Sequence, residues 1–455
     1  MNEKIVMIGA GSAMFTCGLV SDVLRKGWQG EIALVDIDRD ALEVAEKVTR
    51  KMLDAAGSDL TLSASVDRRD VLTDATVVIS TIGVGGRDAW VQDVLIPRKY
   101  GIYQPVGDSV MPGGTSRALR MIPAMVDIAN DVMALAPNAL FFNYANPMNA
   151  ICRGVRKATG IEMIGLCHGV NDMARGIAAR LGITRDQLQY TAVGFNHFTW
   201  FTEVMVDGKD ALPRLQAMAA QKLGQGIDSD ALGLYFAEAG DTEEEQELSL
   251  GWPLLWELTK LFGAWPAPGD RHLAEFFPQM FSGEKGYYGK TLGVDCYSFE
   301  RCIEGGQSTF DEMKVLALSS DPLPGSFLEQ TSGEHEQVCD IIESIRSNAG
   351  NEYNANLPNT GQIPNLPMDA IVECPAIADA SGMQPRQTKP LPTAIAGTLA
   401  SRFQWAEVTV EAALEGSRDK FVQALLIDGA VKSIETAYRL ADELLAAQKE
   451  YLPQF

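Results

Sequence analysis

The sequence predicts an α/β fold, a doubly wound sheet at the N-terminus with an intimately packed α+β region behind it. Three observations carry that expectation. The chain opens on an apolar run, Lys4–Ile8, that passes directly into Gly9-Ala10-Gly11-Ser12 and a helical stretch. A second apolar run, Ile32–Val35, ends at the carboxylate of Asp36. Short β-rich runs then alternate with helical stretches up to residue 150, after which the alternation stops. At 455 residues the chain exceeds what one compact core usually holds, so two domains are expected, 1–195 and 196–455.

The opening unit reads as strand, glycine turn, helix and strand with a terminal acid, the Rossmann-like layout for a dinucleotide. Glycines let the backbone approach a pyrophosphate, the helix N-terminus attracts it, and the acid accepts from a ribose 2′-hydroxyl. Gly9, Gly11, Ser12, Phe15 and Asp36 are therefore candidate cofactor contacts. The third glycine position holds Met14, so the fingerprint is incomplete. An acid at 36 without an arginine at 37 favours NAD over NADP, with Arg39 nearby.

Further strands are expected at Leu60–Ser65, Thr76–Thr81 and Ala139–Asn143. Between the last two, Leu119, Ile122, Met125, Ile128 and Met133 approach helical spacing and predict a helix over Arg117–Leu135. Ligands bind beyond the carboxyl ends of such strands, which puts Gly83, Asn143 and Asn146 on the functional rim, with Thr81 and Gly83 as further candidate cofactor contacts.

Beyond 150, Glu162–Leu166 predicts a strand ending at Cys167-His168-Gly169. Thr184–Gln187 has the form of a capping box, and Phe198–Val206 before Asp207-Gly208 that of a hairpin arm. Asn356–Pro375 is loop-like in composition. A final helix over Asp428–Lys449 would bury Val431, Ile434, Tyr438, Ala441 and Leu445.

The net charge of −22 argues against nucleic acid or an anionic membrane as partner. Part of it sits in Asp241–Glu247, which reads as a solvated acidic face. No stretch is apolar enough for a membrane span, and the chain starts as a strand without a leader pattern. Seven cysteines without framework spacing fit a reducing, cytoplasmic setting.

Of the four histidines, three lie in unusual polar settings: Cys167-His168-Gly169, Asn196-His197 and Asp270-Arg271-His272. Cys167 and His197 could bind a divalent ion with positions left open for substrate, or be a core thiol and a satisfied loop histidine. Asp270 and Arg271 could serve as base and anion clamp, or form a loop ion pair. Asp108 could orient a sugar hydroxyl or act as a turn acid.

Taken in order, Gly9–Ser12, Val106–Ser109, Asn143–Met148, Cys167–Val170, Gly194–Trp200, Gly269–Phe276 and the late Asn365–Pro367 with Val372-Glu373 resemble glycoside hydrolase family 4, the NAD- and metal-dependent glycosidases. Gln104-Pro105-Val106-Gly107-Asp108 and the segments around His197 and His272 are most similar to its α-galacturonidase branch. The resemblance implies a hydrolase of α-linked sugars or uronides acting by C3 oxidation, C2 deprotonation, elimination, water addition and re-reduction. It also implies Mn²⁺ on Cys167 and His197, Asp108 and Asn146 on the sugar, and Asp270 as a base. His168 stands where many relatives carry an acidic proton donor. A uronate carboxylate would need a cation such as Arg271 or Arg87. The family lean is towards a homodimer or homotetramer.

Two other readings fit the opening loop. A 2-hydroxy-acid dehydrogenase of the lactate/malate type, whose fold is related, needs an arginine-clamped acid and a His–Asp relay but has no place for Cys167 with His197. A non-catalytic NAD-binding redox sensor would not need so many polar motifs at strand ends.

Overall fold

The computed structural model describes residues 1–227, 232, 252–283, 286–330 and 337–455; the acidic run Asp241–Glu247 lies outside them. Strands β1 (Asn2–Ile8), β2 (Gln29–Val35), β3 (Thr61–Ser65), β4 (Val77–Ser80), β5 (Leu140–Asn143) and β6 (Ile164–Gly165) run parallel in the order β3-β2-β1-β4-β5-β6. Their near-continuous apolar character follows from burial on both faces by helices; Val6, Ile32, Ala33, Leu34, Val77 and Val78 are fully buried. The chain winds from β1 towards β3, then returns to β4 and winds the other way. The crevice between β1 and β4 is thus the topological switch point, where ligands bind in such sheets.

The sheet does not stop at β6. It continues through antiparallel strands β7 (Leu188–Phe195), β8 (Phe198–Val206), β10 (Trp265–Ala267), β11 (Asn351–Pro358) and β12 (Ile371–Asp379), in the order β6-β11-β12-β7-β8-β10. Short strands β9 (Lys209–Asp210) and β13 (Gly382–Pro385) flank β8 and β12. One 13-stranded sheet therefore joins the two halves. The expected boundary at 195 falls in the turn between β7 and β8, two strands of the same antiparallel hairpin. Among the described residues no helix is long and apolar enough to cross a membrane.

Four local expectations need correction. The helix expected from Arg117 begins at Met111 and runs to Leu135. Gly113 and Gly114 look like turn residues, but they let the first helical turn press on the preceding loop. A Cβ at Gly114 would lie 2.6 Å from the Ser109 carbonyl carbon. Asn356–Pro375 is not a loop throughout, because both its ends are strands β11 and β12. Their polar residues are tolerated because the Asn354 and Asn356 amides donate to the carbonyls of Ala192 and Gly165 on neighbouring segments. The Thr184 capping box opens only a single 3₁₀ turn, Arg185–Gln187. The last helix spans Ile434–Ala447 and buries Ala437, Leu440, Ala441 and Leu444, leaving Ile434 and Tyr438 exposed. Val431 precedes the Ser433 cap, so it cannot set the phase of that helix.

Candidate active site

A cavity of 1710 Å³ opens at the switch point and extends into the antiparallel half. Its first part is the glycine turn. Gly9 adopts φ +92°, and a Cβ there would sit 2.8 Å from the Ile82 nitrogen, so the turn can nestle against β4 only as glycine. Thr81 seals that contact by donating its hydroxyl to the Gly9 carbonyl at 2.9 Å. The Gly11 N–H donates to Asp36 Oδ2 at 2.8 Å, tying the turn to the end of β2. The helix Thr16–Arg25 follows with no side-chain cap, its Thr16 N–H donated to the Ser12 carbonyl at 3.3 Å, and its N-terminus faces the turn. Phe15 packs on Tyr144, ring centroids 5.4 Å apart, at the same rim. Gly9, Gly11, Ser12, Phe15, Asp36, Thr81 and Gly83 all line the cavity. Met14, at the missing third glycine, is exposed and lines the cavity beside the turn.

The second part is a polar cluster assembled from four chain segments. His197 occupies the two-residue turn between β7 and β8 with φ +64°, which swings its ring off the sheet and into the cavity. Its Nδ1 lies 2.7 Å from Ser109 Oγ, and that hydroxyl donates to Asp108 Oδ1 at 2.7 Å. Asp108 Oδ2 accepts from Asn146 Nδ2 at 3.1 Å. The His272 ring packs against His197, centroids 3.9 Å apart. Ligand atoms of Asp108, His197 and His272 all lie within 4.8 Å of one another. Burial lowers the His197 pKa to about 4 and that of His272 further, so both are neutral imidazoles with a lone pair to offer.

Cys167 follows β6 and lines the same cavity. Its sulfur accepts the Gly169 N–H at 3.4 Å. Burial pushes the thiol pKa up, and the nearby Glu373 carboxylate adds to it. A sulfur so placed loses its proton only to a bound cation. Beside it, His168 is half-exposed, with Nε2 3.8 Å from Asp172.

Of the residues expected from sequence, Asn143 and Asp270 do not line the cavity: Asn143 is fully buried and donates Nδ2 to the Ala145 carbonyl, and Asp270 turns into the core. Its oxygens accept the Leu254 and Leu255 N–H groups at 2.7 Å each and the Tyr287 hydroxyl. It thus caps the helix Pro253–Phe262 from within the core, and burial raises its pKa to about 7. Arg271 donates to the Pro105 carbonyl at 3.2 Å, and Arg87 bonds Gln307 over the Phe310 ring. Both remain on the cavity wall.

Three residues of this region were not assigned from the sequence. His272 sits in the same motif as Asp270, but nothing in the spacing shows which of the two side chains turns inward. Arg117, half-buried with its guanidinium near the Trp90 ring, donates Nε to the Asn146 carbonyl and lines the cavity. Glu275 accepts two backbone N–H groups from the Asp108 loop; no side-chain pattern announces backbone partners.

The sequence model of the family 4 glycosyl hydrolases matches residues 4–183, and that of their C-terminal domain matches residues 192–431. The chain belongs to glycosyl hydrolase family 4. An α-glucosidase from Erwinia rhapontici is 33% identical over 99% of this chain and 99% of its own. An α-galacturonidase from Bacillus subtilis is 30% identical over 94% of this chain and 93% of its own. A 6-phospho-α-glucosidase from gut microorganisms, solved in complex with NAD and Mn²⁺, shares the fold at a TM-score of 0.82 and 18% identity, with 100% of each chain covered. The family match excludes a plain 2-hydroxy-acid dehydrogenase and a non-catalytic sensor.

Proposed function

We propose that this glycosidase hydrolyses α-linked glycosides, a uronide foremost, with NAD in the glycine-turn half of the cavity and a divalent ion, Mn²⁺ by choice, beside Cys167, His197, His272 and Asp108. The observation that carries it is the continuity of one cavity from the dinucleotide turn to the cluster of Asp108, His197 and His272, with Cys167 on the same wall. The donor set fits the ion. His272 Nδ1 is buried without a partner among the described residues, and thiolate with imidazole suits a borderline divalent metal. When bound, NAD supplies a hydride acceptor and the ion a Lewis acid for the sugar oxygens.

This chain's own residues orient and move protons around that chemistry. Asn146 and Asp108, already bonded to each other, present an amide and a carboxylate to sugar hydroxyls. Ser109 holds the His197 ring through Nδ1, so Nε2 faces the occupant of the cavity. His168 carries a proton to the glycosidic oxygen, with Asp172 as its partner. Asp270 is a positioning residue that fixes the helix Pro253–Phe262 beneath the loop of Arg271 and His272.

A uronide is favoured because the chain carries net charge −22, yet Arg87, Arg117, Arg175 and Arg271 line this cavity. The setting is a reducing cytoplasm and the assembly a homodimer or homotetramer. Release of nitrophenol from the p-nitrophenyl α-galacturonide, α-glucuronide, α-galactoside and α-glucoside ranks the substrates. The expected order puts a uronide first. A neutral glycoside turned over faster than both uronides contradicts the carboxylate assignment.

Asp36 sets the cofactor choice. In D36S the carboxylate that repels a 2′-phosphate is gone, and the ratio of NAD to NADP affinity should fall about tenfold, roughly 1.4 kcal/mol. Titration of both dinucleotides checks it; an unchanged ratio removes Asp36 from the ribose site.

A further inference from the structure

We propose that Glu275 is a positioning residue that sets the distance between Asp108 and His272. The inference rests on the metal reading above. Glu275 lies in the turn Ala274–Phe276, directly after the short helix Asp270–Leu273 that carries His272. Its side chain is 1% exposed, and Oε1 accepts both the Val106 N–H at 2.9 Å and the Gly107 N–H at 2.8 Å. Asp108 is the next residue. Gly107 holds φ +66°, and a Cβ there would meet Val94 Cγ2 at 2.4 Å, so the loop has little room to re-form elsewhere.

The far end of the loop is gripped from the same turn. The Met111 N–H donates to Asp428 Oδ2 at 2.9 Å, Arg402 pairs with that oxygen at 2.7 Å, and Arg402 Nη2 donates to the Phe276 carbonyl at 2.7 Å. Consecutive residues Glu275 and Phe276 thus hold both ends of the segment from which Asp108 and Ser109 reach His197 and His272.

Stability alone does not account for a carboxylate here. Oε2 is buried with no hydrogen-bond partner among the described residues, and a buried polar atom left unsatisfied is costly. A single acceptor placed to receive two successive N–H groups instead fixes geometry. Metal ligands require such support from the groups behind them.

The test uses E275Q, E275L and E275D in the full-length enzyme, with Mn²⁺ binding followed by electron paramagnetic resonance and NAD binding by fluorescence. E275Q keeps an oxygen acceptor at the same reach and should retain Mn²⁺ affinity. E275L has no acceptor and E275D falls short of the loop; each should lose about tenfold or more in Mn²⁺ affinity. NAD affinity should stay unchanged in all three. If E275L does not fold, E275D carries the same expectation. Unchanged Mn²⁺ affinity in E275D, or an E275Q as weak as E275D, overturns the proposal. Failure of the unmodified enzyme to bind Mn²⁺ overturns the metal reading itself and the inference with it.

Discussion

Replacing Cys167 by serine lowers metal-dependent turnover by about a thousandfold, the loss of a Lewis acid worth several kcal/mol. Serine keeps the size of the side chain, but its alkoxide is far too basic to form beside a borderline ion at neutral pH. The protein around it has no other use for the sulfur. The sulfur accepts the Gly169 N–H, a bond that serine can accept as well. The fold should therefore survive, and so should NAD binding, because Gly9, Gly11 and Asp36 belong to the β1–β2 side of the cavity. Turnover against Mn²⁺ concentration, set beside an NAD titration, checks both halves of the expectation. Full activity in the variant would remove Cys167 from the metal shell.

Replacing Asp270 by alanine destabilises the protein by about 2–4 kcal/mol, because three buried donors lose their acceptor at once. Two of them, the Leu254 and Leu255 N–H groups, open the helix Pro253–Phe262, and the third is the Tyr287 hydroxyl. The first turn of that helix, Pro253–Trp256, is buried, so water cannot replace the lost bonds. A base that acts on substrate gives the opposite signature, with turnover lost and stability retained. Urea unfolding of D270A alongside the unmodified protein separates the two. An unchanged midpoint with abolished turnover would return Asp270 to the substrate.

The parallel half was legible because its signals are local. Lys4–Ile8, Gly9, Gly11 and Asp36 lie in one continuous strand–turn–helix–strand unit, and the structure seats them as their spacing implies. The antiparallel half depends on pairing between distant segments. β6 meets β11 only at Gly165 and Asn356, and β12 meets β7 at Glu373 and Gly194, contacts that no periodicity encodes. Hence the Asn-rich run around Asn356 resembled a loop until its amides found the neighbouring carbonyls.

The candidate site divides the same way. Cys167, His197 and Asn146 stand just beyond strand ends and Asp108 in the loop before the helix Met111–Leu135, and all four reach the cavity. The motif Gly269–Phe276 was visible as a motif, but its roles were not. Backbone N–H groups of the preceding helix, 15 and 16 residues earlier, draw Asp270 inward, and the next turn of chain presents His272 to His197. Residue type marks where chemistry can occur; the direction of each side chain depends on partners elsewhere in the chain.

The central claim is that a redox fold serves a hydrolysis, with the dinucleotide restored in every turnover. Simultaneous recording of aglycone release and reduced-nicotinamide absorbance, with NAD and Mn²⁺ present, tests it most directly. The account predicts many aglycones released per enzyme molecule, dependence on both additions, and no reduced nicotinamide beyond the amount of enzyme. Steady accumulation of reduced nicotinamide with no aglycone released from any α-glycoside would contradict it.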